Sequence, residues 1–418
     1  MISDVTSQPA PVAERPVDIE RWPGMAPPDP APMRAAIARV AMRRIARHAG
    51  LRVDLPNGSH LGPDTAPAMR IRSPQSFFTR LGRDGKIGFG EAFMAGDWDA
   101  PDLAAALEPL ARDIDSLVPG WLQWIRRSYD ARQPVEEDND RDGARSNIHR
   151  HYDLSNDLFA SFLDETMTYS SALFEDPASE SLTTAQHRKI DRLLDQAKVG
   201  QSSRVLEIGT GWGELAIRAA RRGASVTTIT LSEEQAALAV DRARAAGVTD
   251  RVDVLVCDYR DADGTYDAIV SVEMIEAVGE RWWPTYFETL DHRLSRDGRI
   301  GLQAIVMPHR RMLASHHSYT WIHKYVFPGG IIPSTDAIKD IVASKTSLCI
   351  TDAKRFGKSY AETLHRWQDR FVSAGRSVNA LGFDDTFRRM WTFYLAYCEA
   401  GFRAGYLDVV QFTMAHTA

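Results

Sequence analysis

The sequence predicts an α/β protein: a parallel sheet covered by helices on both faces, carrying a helical cap and preceded by a small α+β domain. Three observations carry this. From residue 204 onward strand-like and helix-like stretches alternate, as parallel strands joined by crossover helices require. The first of those strands ends in a glycine-rich turn that runs into a helix. Between 133 and 146, QPVEEDNDRDGARS gathers acids and little that could be buried, which reads as a linker between two domains.

Residues 1–32 hold eight of the 21 prolines and no apolar run, so they read as a disordered tail and not as a signal peptide. The N-terminal domain, 33–132, opens with a helix in which Met33, Ile37, Val40, Ala41 and Ile45 recur at helical spacing beside Arg39, Arg43, Arg44 and Arg47. Such a helix either packs on its own domain with a solvated basic face or lies on an anionic membrane surface. VDLPNGSHLG follows as a hairpin turned at Asn57-Gly58, and MRIRS (69–73) extends the β character. GKIGFGEAFMAGDW (85–98) is glycine-punctuated and aromatic, and helices are expected around 102–112 and 119–130. In the second domain, 147–418, strands are expected at 204–209, 225–231, 251–258, 266–273 and 298–306, and a last one at 406–415 returns to the sheet edge. Residues 307–380 form the cap.

Composition narrows the function. Against 56 acids stand 50 Lys and Arg, a net charge of −6, which argues against a general nucleic-acid binder. No stretch of about 18 apolar residues is present, so no spanning helix is expected. Cys257, Cys349 and Cys398 form no paired motif, which suggests a reducing compartment, and the expected location is the cytoplasm. His316, His317 and His323 lack a zinc-binding frame, so no metal is expected.

The turn reads Glu207-Ile-Gly209-Thr-Gly211-Trp212-Gly213 and offers backbone N–H groups at a helix start to a nucleotide-like cofactor, unless it is merely a tight turn. It is G-x-G-x-G and not the dinucleotide G-x-G-x-x-G, and Glu207 two residues before the first glycine suits a cationic ligand. This resembles the first motif of class I S-adenosylmethionine methyltransferases. With HYDLSNDLF (151–159), MTYSSALF (167–174), TLSEEQ (230–235), DYRD (258–261), SVEMIEAVG (271–279), YVFPGGIIPS (325–334) and SYAETLHRW (359–367), the chain resembles the cyclopropane-fatty-acyl-phospholipid synthases and mycolic acid methyltransferases.

The resemblance implies a class I methyltransferase, Rossmann-like sheet with a helical cap, and S-adenosylmethionine held by Tyr169, Ser170, Gly209, Gly211, Gly213, Thr230, Ser232, Gln235, Asp258 and Tyr259. It implies methylation of a cis alkene in a phospholipid acyl chain, leaving a carbocation that loses a proton. In the family a bicarbonate ion is thought to take that proton. By position its holders here are Glu276, Tyr360 and backbone N–H groups near Ser171 and Ile305. The imidazole position falls on Gln303, which cannot relay a proton near neutral pH. Bicarbonate and ring closure are therefore in question; the expected product is a cyclopropane, with a methylene branch, awaiting a reductase partner, as the alternative. Ser171 replaces a family cysteine. An inactive lipid or cofactor binder is the remaining alternative. Nucleic-acid methylation is disfavoured by SVEMIEAVG, where an Asn/Asp-Pro-Pro-aromatic segment would stand. The expected partners are acyl chains at the inner face of the cell membrane, with the N-terminal domain presenting them or pairing two subunits.

Overall fold

The structure is a computed structural model that describes residues 17–113, 139, 143, 155–316 and 318–417. Residues 1–16, the helical stretch expected at 119–130, His317 and all of the linker except Asn139 and Gly143 lie outside the described residues.

In the N-terminal domain β1 (Arg52–Asp54) and β2 (His60–Leu61) form the expected hairpin, with Val53 opposite Leu61 and Gly58 at φ +81° in the turn. β3 (Ala68–Ile71) lies parallel to β1 and pairs with β4 (Trp98–Asp99). Helices α1 (Pro32–Ala49), α2 (Pro74–Met94) and α3 (Leu103–Arg112) cover this sheet. Residues 85–94 of the glycine-punctuated stretch belong to α2, which bends at Gly85, and Trp98 at its end opens β4.

Two readings of this region are corrected. Residues 17–31 are not a free tail: Trp22 donates its indole N–H to Asp384 at 2.8 Å, and the buried Arg80 guanidinium donates to the carbonyls of Gly24, Met25 and Ala26. A buried guanidinium needs such acceptors, and the proline-rich segment supplies three of them. On α1 the buried face is Ala38, Met42 and Ala46, whereas Met33, Ile37 and Val40 are exposed at 76%, 60% and 66%. This face, two alanines flanking Met42, turns inward where α1 runs against α2 so closely that a Cβ on Gly82 would sit 2.5 Å from the Arg34 carbonyl.

The second domain is built on seven strands: β5 (Arg204–Ile208), β6 (Ser225–Thr230), β7 (Val252–Val256), β8 (Tyr266–Val272), β9 (Leu294–Val306), β10 (Leu348–Arg355) and β11 (Asp408–His416). Their order is β10-β11-β9-β8-β5-β6-β7, parallel from β7 to β9, with β11 antiparallel to both β9 and β10. The last strand is thus not the edge. β10, within the stretch assigned to the cap, takes that place, and its outer half is exposed and charged, which blunts an edge. Strand order reverses between β5 and β8, so a crevice opens at their carboxyl ends.

The two domains are clamped through the cap. Glu91 of α2 accepts from Lys324 Nζ (2.6 Å) and the Tyr325 hydroxyl (2.7 Å), and Gly90 lies against the Trp321 ring, where a Cβ would meet it at 2.4 Å. Arg389 donates to the carbonyls of Phe93 and Trp98. Asn139, assigned to the linker, is buried and donates to the Gly329 carbonyl at 2.8 Å. Replacing Arg80 with Leu leaves three carbonyls without their donor and Asp97 with only the Ser76 hydroxyl, and urea unfolding should show a loss of about 3–5 kcal/mol.

Candidate active site

The crevice is a cavity bordered by Tyr169, Ser170, Lys189, Glu207, Gly209, Gly211, Trp212, Thr230, Gln235, Tyr259, Glu273 and Met274. Gly209 has φ +97°, and a Cβ there would lie 2.7 Å from the Met274 side chain. Only glycine lets the turn pass. Gly213, at φ +89°, begins the Glu214–Arg221 helix, and a Cβ there would press on Ala239 at 3.1 Å. Trp212 is fixed by its indole N–H donating to Asn156 at 2.7 Å.

Most of the expected cofactor residues meet at this cavity, but three stand behind it. Gly213 packs the helix. Ser232 caps the Glu233–Ala245 helix by accepting from the Gln235 N–H at 3.2 Å. Asp258 is taken up by Arg260, whose Nε and guanidinium donate to its two oxygens at 2.7 Å. Within the wall, the Thr230 hydroxyl donates to Gln235 Oε1 at 2.9 Å. Tyr259 is buried with its hydroxyl unbonded, and burial pushes that hydroxyl up to about 12.

The electrostatics concentrate in three carboxylates and one amine. Glu207 is buried, its Oε2 has no partner, and burial raises it to about 8. Lys189 is buried and donates to Ser170 Oγ at 2.7 Å; burial lowers its amine to about 8 against the pull of Glu273, Asp164 and Glu207. The carboxylate expected to hold an anion, Glu276, instead accepts from the Ile305 N–H, and burial together with the charge of Glu273 pushes it to about 8.

The other three expected donors converge on a residue that the sequence reading passed over. Glu273 Oε1 accepts from the Ser171 N–H at 2.9 Å and from Gln303 Nε2 at 2.8 Å, while Oε2 accepts from the Tyr360 hydroxyl at 3.0 Å. Glu273 follows β8 directly, three residues before Glu276, and its place at a strand's carboxyl end beside the switch point was the available signal. Ser171 Oγ turns to the Ala172 carbonyl, so only its backbone serves the site. Lys189, in the Leu182–Gln196 helix, was also missed, since nothing in the local pattern marks it as buried.

An aromatic shell closes the site. Tyr169 shares a hydrogen bond with Tyr394 (2.8 Å), stacks on Trp367 at 5.3 Å and meets Phe159 edge-on; Phe327 meets Tyr394 at 5.6 Å. Tyr360 lies 4.6 Å from Phe402. Such walls exclude water and tolerate positive charge.

The profile of the family described as Mycolic acid cyclopropane synthetase matches residues 139–412. The chain belongs to that family. It is 52% identical over 409 residues to Tuberculostearic acid methyltransferase UfaA1 of Mycobacterium tuberculosis, covering 95% of this chain and 96% of that one. With Cyclopropane-fatty-acyl-phospholipid synthase of Escherichia coli it shares 34% over 350 residues, 83% of this chain and 87% of the other. Among solved structures, mycolic acid cyclopropane synthase CmaA1 in complex with S-adenosylhomocysteine and CTAB superposes with a TM-score of 0.60 at 28% identity, over 68% of this chain and 98% of that one.

As a member of this family the protein is an S-adenosylmethionine-dependent methyltransferase that modifies fatty acids. Its cavity suits that cofactor: the glycine turn leaves a side-chain-free cradle, and the Glu207 carboxyl, whose Oε2 is unpartnered, offers a negative charge to a sulfonium compound. In the free protein burial keeps Glu207 protonated below about pH 8, and a cationic ligand favours its ionised form. Binding near neutral pH should therefore release a proton, seen by calorimetry in buffers of different ionisation enthalpy. Glu207→Gln should abolish the release and weaken affinity roughly 10- to 100-fold.

Proposed function

We propose that the protein methylates the cis double bond of unsaturated acyl chains in membrane phospholipids and leaves a methylene branch. The observation that carries this is the 52% identity, over nearly the whole of both chains, to a relative named for tuberculostearic acid, a methyl-branched saturated fatty acid. Gln303 supports it: a neutral amide stands where the resemblance put an imidazole, so no proton relay runs through that position.

The bound cofactor supplies an electrophilic methyl group on sulfur. The alkene's π pair forms the new C–C bond as the C–S bond breaks, and the adjacent chain carbon becomes cationic. A hydride shift from the methylated carbon moves the charge there, and loss of a proton from the new methyl gives the exocyclic alkene. A separate hydride-donating enzyme would then reduce it. The chain's own part is to exclude water with Tyr169, Trp367, Tyr394 and Phe159, and to hold a carboxylate beside the reacting carbon.

Access to lipid is proposed through α1. Met33, Ile37 and Val40 are exposed on it, and Val40 shares a surface depression with Arg43, Arg44 and Arg47. An apolar patch flanked by arginines suits an anionic membrane surface. Arg39 is excluded from that group because its guanidinium lies 5.0 Å over the Phe78 ring.

Two measurements test this reading. Lipids from a host without modified fatty acids, analysed by mass spectrometry after expression, should carry a methylene branch; a cyclopropane product would overturn it in favour of ring closure. Replacing Arg43, Arg44 and Arg47 with Gln should lower binding to anionic vesicles roughly 100-fold, at about 1 kcal/mol for each charge, and unchanged cosedimentation would reject the membrane role.

A further inference from the structure

The site contains a complete anion cradle, and it is filled by the chain itself. The Ser171 N–H, Gln303 Nε2 and the Tyr360 hydroxyl all donate to Glu273, which leaves none of them for a second anion. A bicarbonate ion therefore does not fit among these residues: it would displace the Glu273 carboxylate or sit against it, charge to charge.

We propose that Glu273 is the general base of this enzyme, a built-in carboxylate that takes the proton from the substrate's new methyl group in place of a bound bicarbonate. The inference rests on the proposed alkene methylation. Oε1 is saturated by two donors, whereas Oε2 has one and keeps a lone pair for the proton. Glu273 borders the cofactor cavity beside Met274, which puts it within the space where the methyl group moves. In the step, a C–H bond of that methyl breaks, its electron pair becomes the exocyclic π bond, and the proton passes to Oε2. The cationic charge on the substrate is discharged without water or any other reactant.

Three further observations show that the carboxylate is held for this purpose. Glu273 adopts φ +52°, a left-handed conformation that side chains other than glycine avoid, and its N–H is tied to the Gln303 carbonyl at 2.8 Å. Gln303 is oriented by a relay that can run only one way. Arg192, which can only donate, bonds Gln411 Oε1 at 2.8 Å; Gln411 Nε2 then donates to Gln303 Oε1 at 3.0 Å, so the Gln303 amide N–H faces Glu273. Burial raises the Glu273 carboxyl above the usual carboxylate range, as suits a group that must take a proton, while Lys189, buried nearby, and the three donors offset that rise toward the ionised form. The neutral amide at 303 is thus the partner of a fixed carboxylate rather than a failed imidazole.

The test uses the full-length enzyme, S-adenosylmethionine and vesicles of dioleoyl phospholipid. Wild type should release S-adenosylhomocysteine at the same rate in carbon-dioxide-depleted buffer and with added bicarbonate. Glu273→Gln should lower turnover by about 100-fold or more, well beyond any change in cofactor affinity measured by calorimetry. Glu273→Gly, which suits the left-handed backbone, should also lose turnover, regain part of it with added bicarbonate, and bind carbon-13-labelled bicarbonate by NMR where wild type does not. Near-wild-type turnover in Glu273→Gln, dependence of wild type on bicarbonate, or no bicarbonate binding by Glu273→Gly would each overturn the assignment. The NMR arm needs no lipid, so an inactive wild type would count against alkene methylation while the cradle is still judged on its own.

Discussion

A fixed negative charge beside a waterless aromatic pocket is the constraint on which this site depends. Desolvating a carboxylate is costly unless donors and an opposing charge accompany it. Glu273 has all of them: the Ser171 N–H, Gln303, Tyr360 and the buried amine of Lys189. Its neighbour Glu276 lacks such support, its Oε2 is unpartnered, and it is pushed up to about 8. Burial raises both carboxyls, and the donors and Lys189 beside Glu273 offset that rise, whereas Glu276 has the charge of Glu273 added to its burial.

The rest of the architecture serves the same requirement. The β5–β8 switch point opens the crevice, the glycine turn clears it of side chains, and the helices beyond β9 close it with aromatic rings. Because Glu91, Gly90 and Asn139 grip the Trp321–Tyr325 helix and the Gly329 turn, the N-terminal domain and the linker brace the wall over the site. Within GFGEAFMAGDW, Gly90 and Glu91 make these contacts, while Met33, Ile37 and Val40 on α1 stay exposed.

Much of the sheet was legible because its central strands are buried and read as apolar runs broken by one polar residue each, Glu207 in VLEI and Ser271 in AIVSV. β10 was not, since an exposed, charged edge strand carries no such run. The face that α1 buries was misread for a related reason: periodicity follows the large apolar residues, whereas close packing against α2 takes the face where Ala38 and Ala46 flank Met42. At the site, the glycine turn was marked by its own spacing and the strand-end residues by the family resemblance, and Gly209, Gly211, Thr230 and Tyr259 border the cavity. Asp258, Ser232 and Gly213 were placed in the right segments, but their side chains or backbones serve caps and packing behind the cavity.

By itself the sequence determined the family, the cofactor class and the substitution at 303, because these reside in contiguous motifs whose chemistry does not depend on distant partners. Tertiary structure decided what Gln303 is for. Its role follows from β9 lying in register with β11, so that Gln303 faces Gln411, and from Arg192 reaching that pair from another helix. Hydrogen-bond direction is transmitted along that line from a donor that cannot accept, and no reading along the chain brings residues 192, 303, 411 and 273 together.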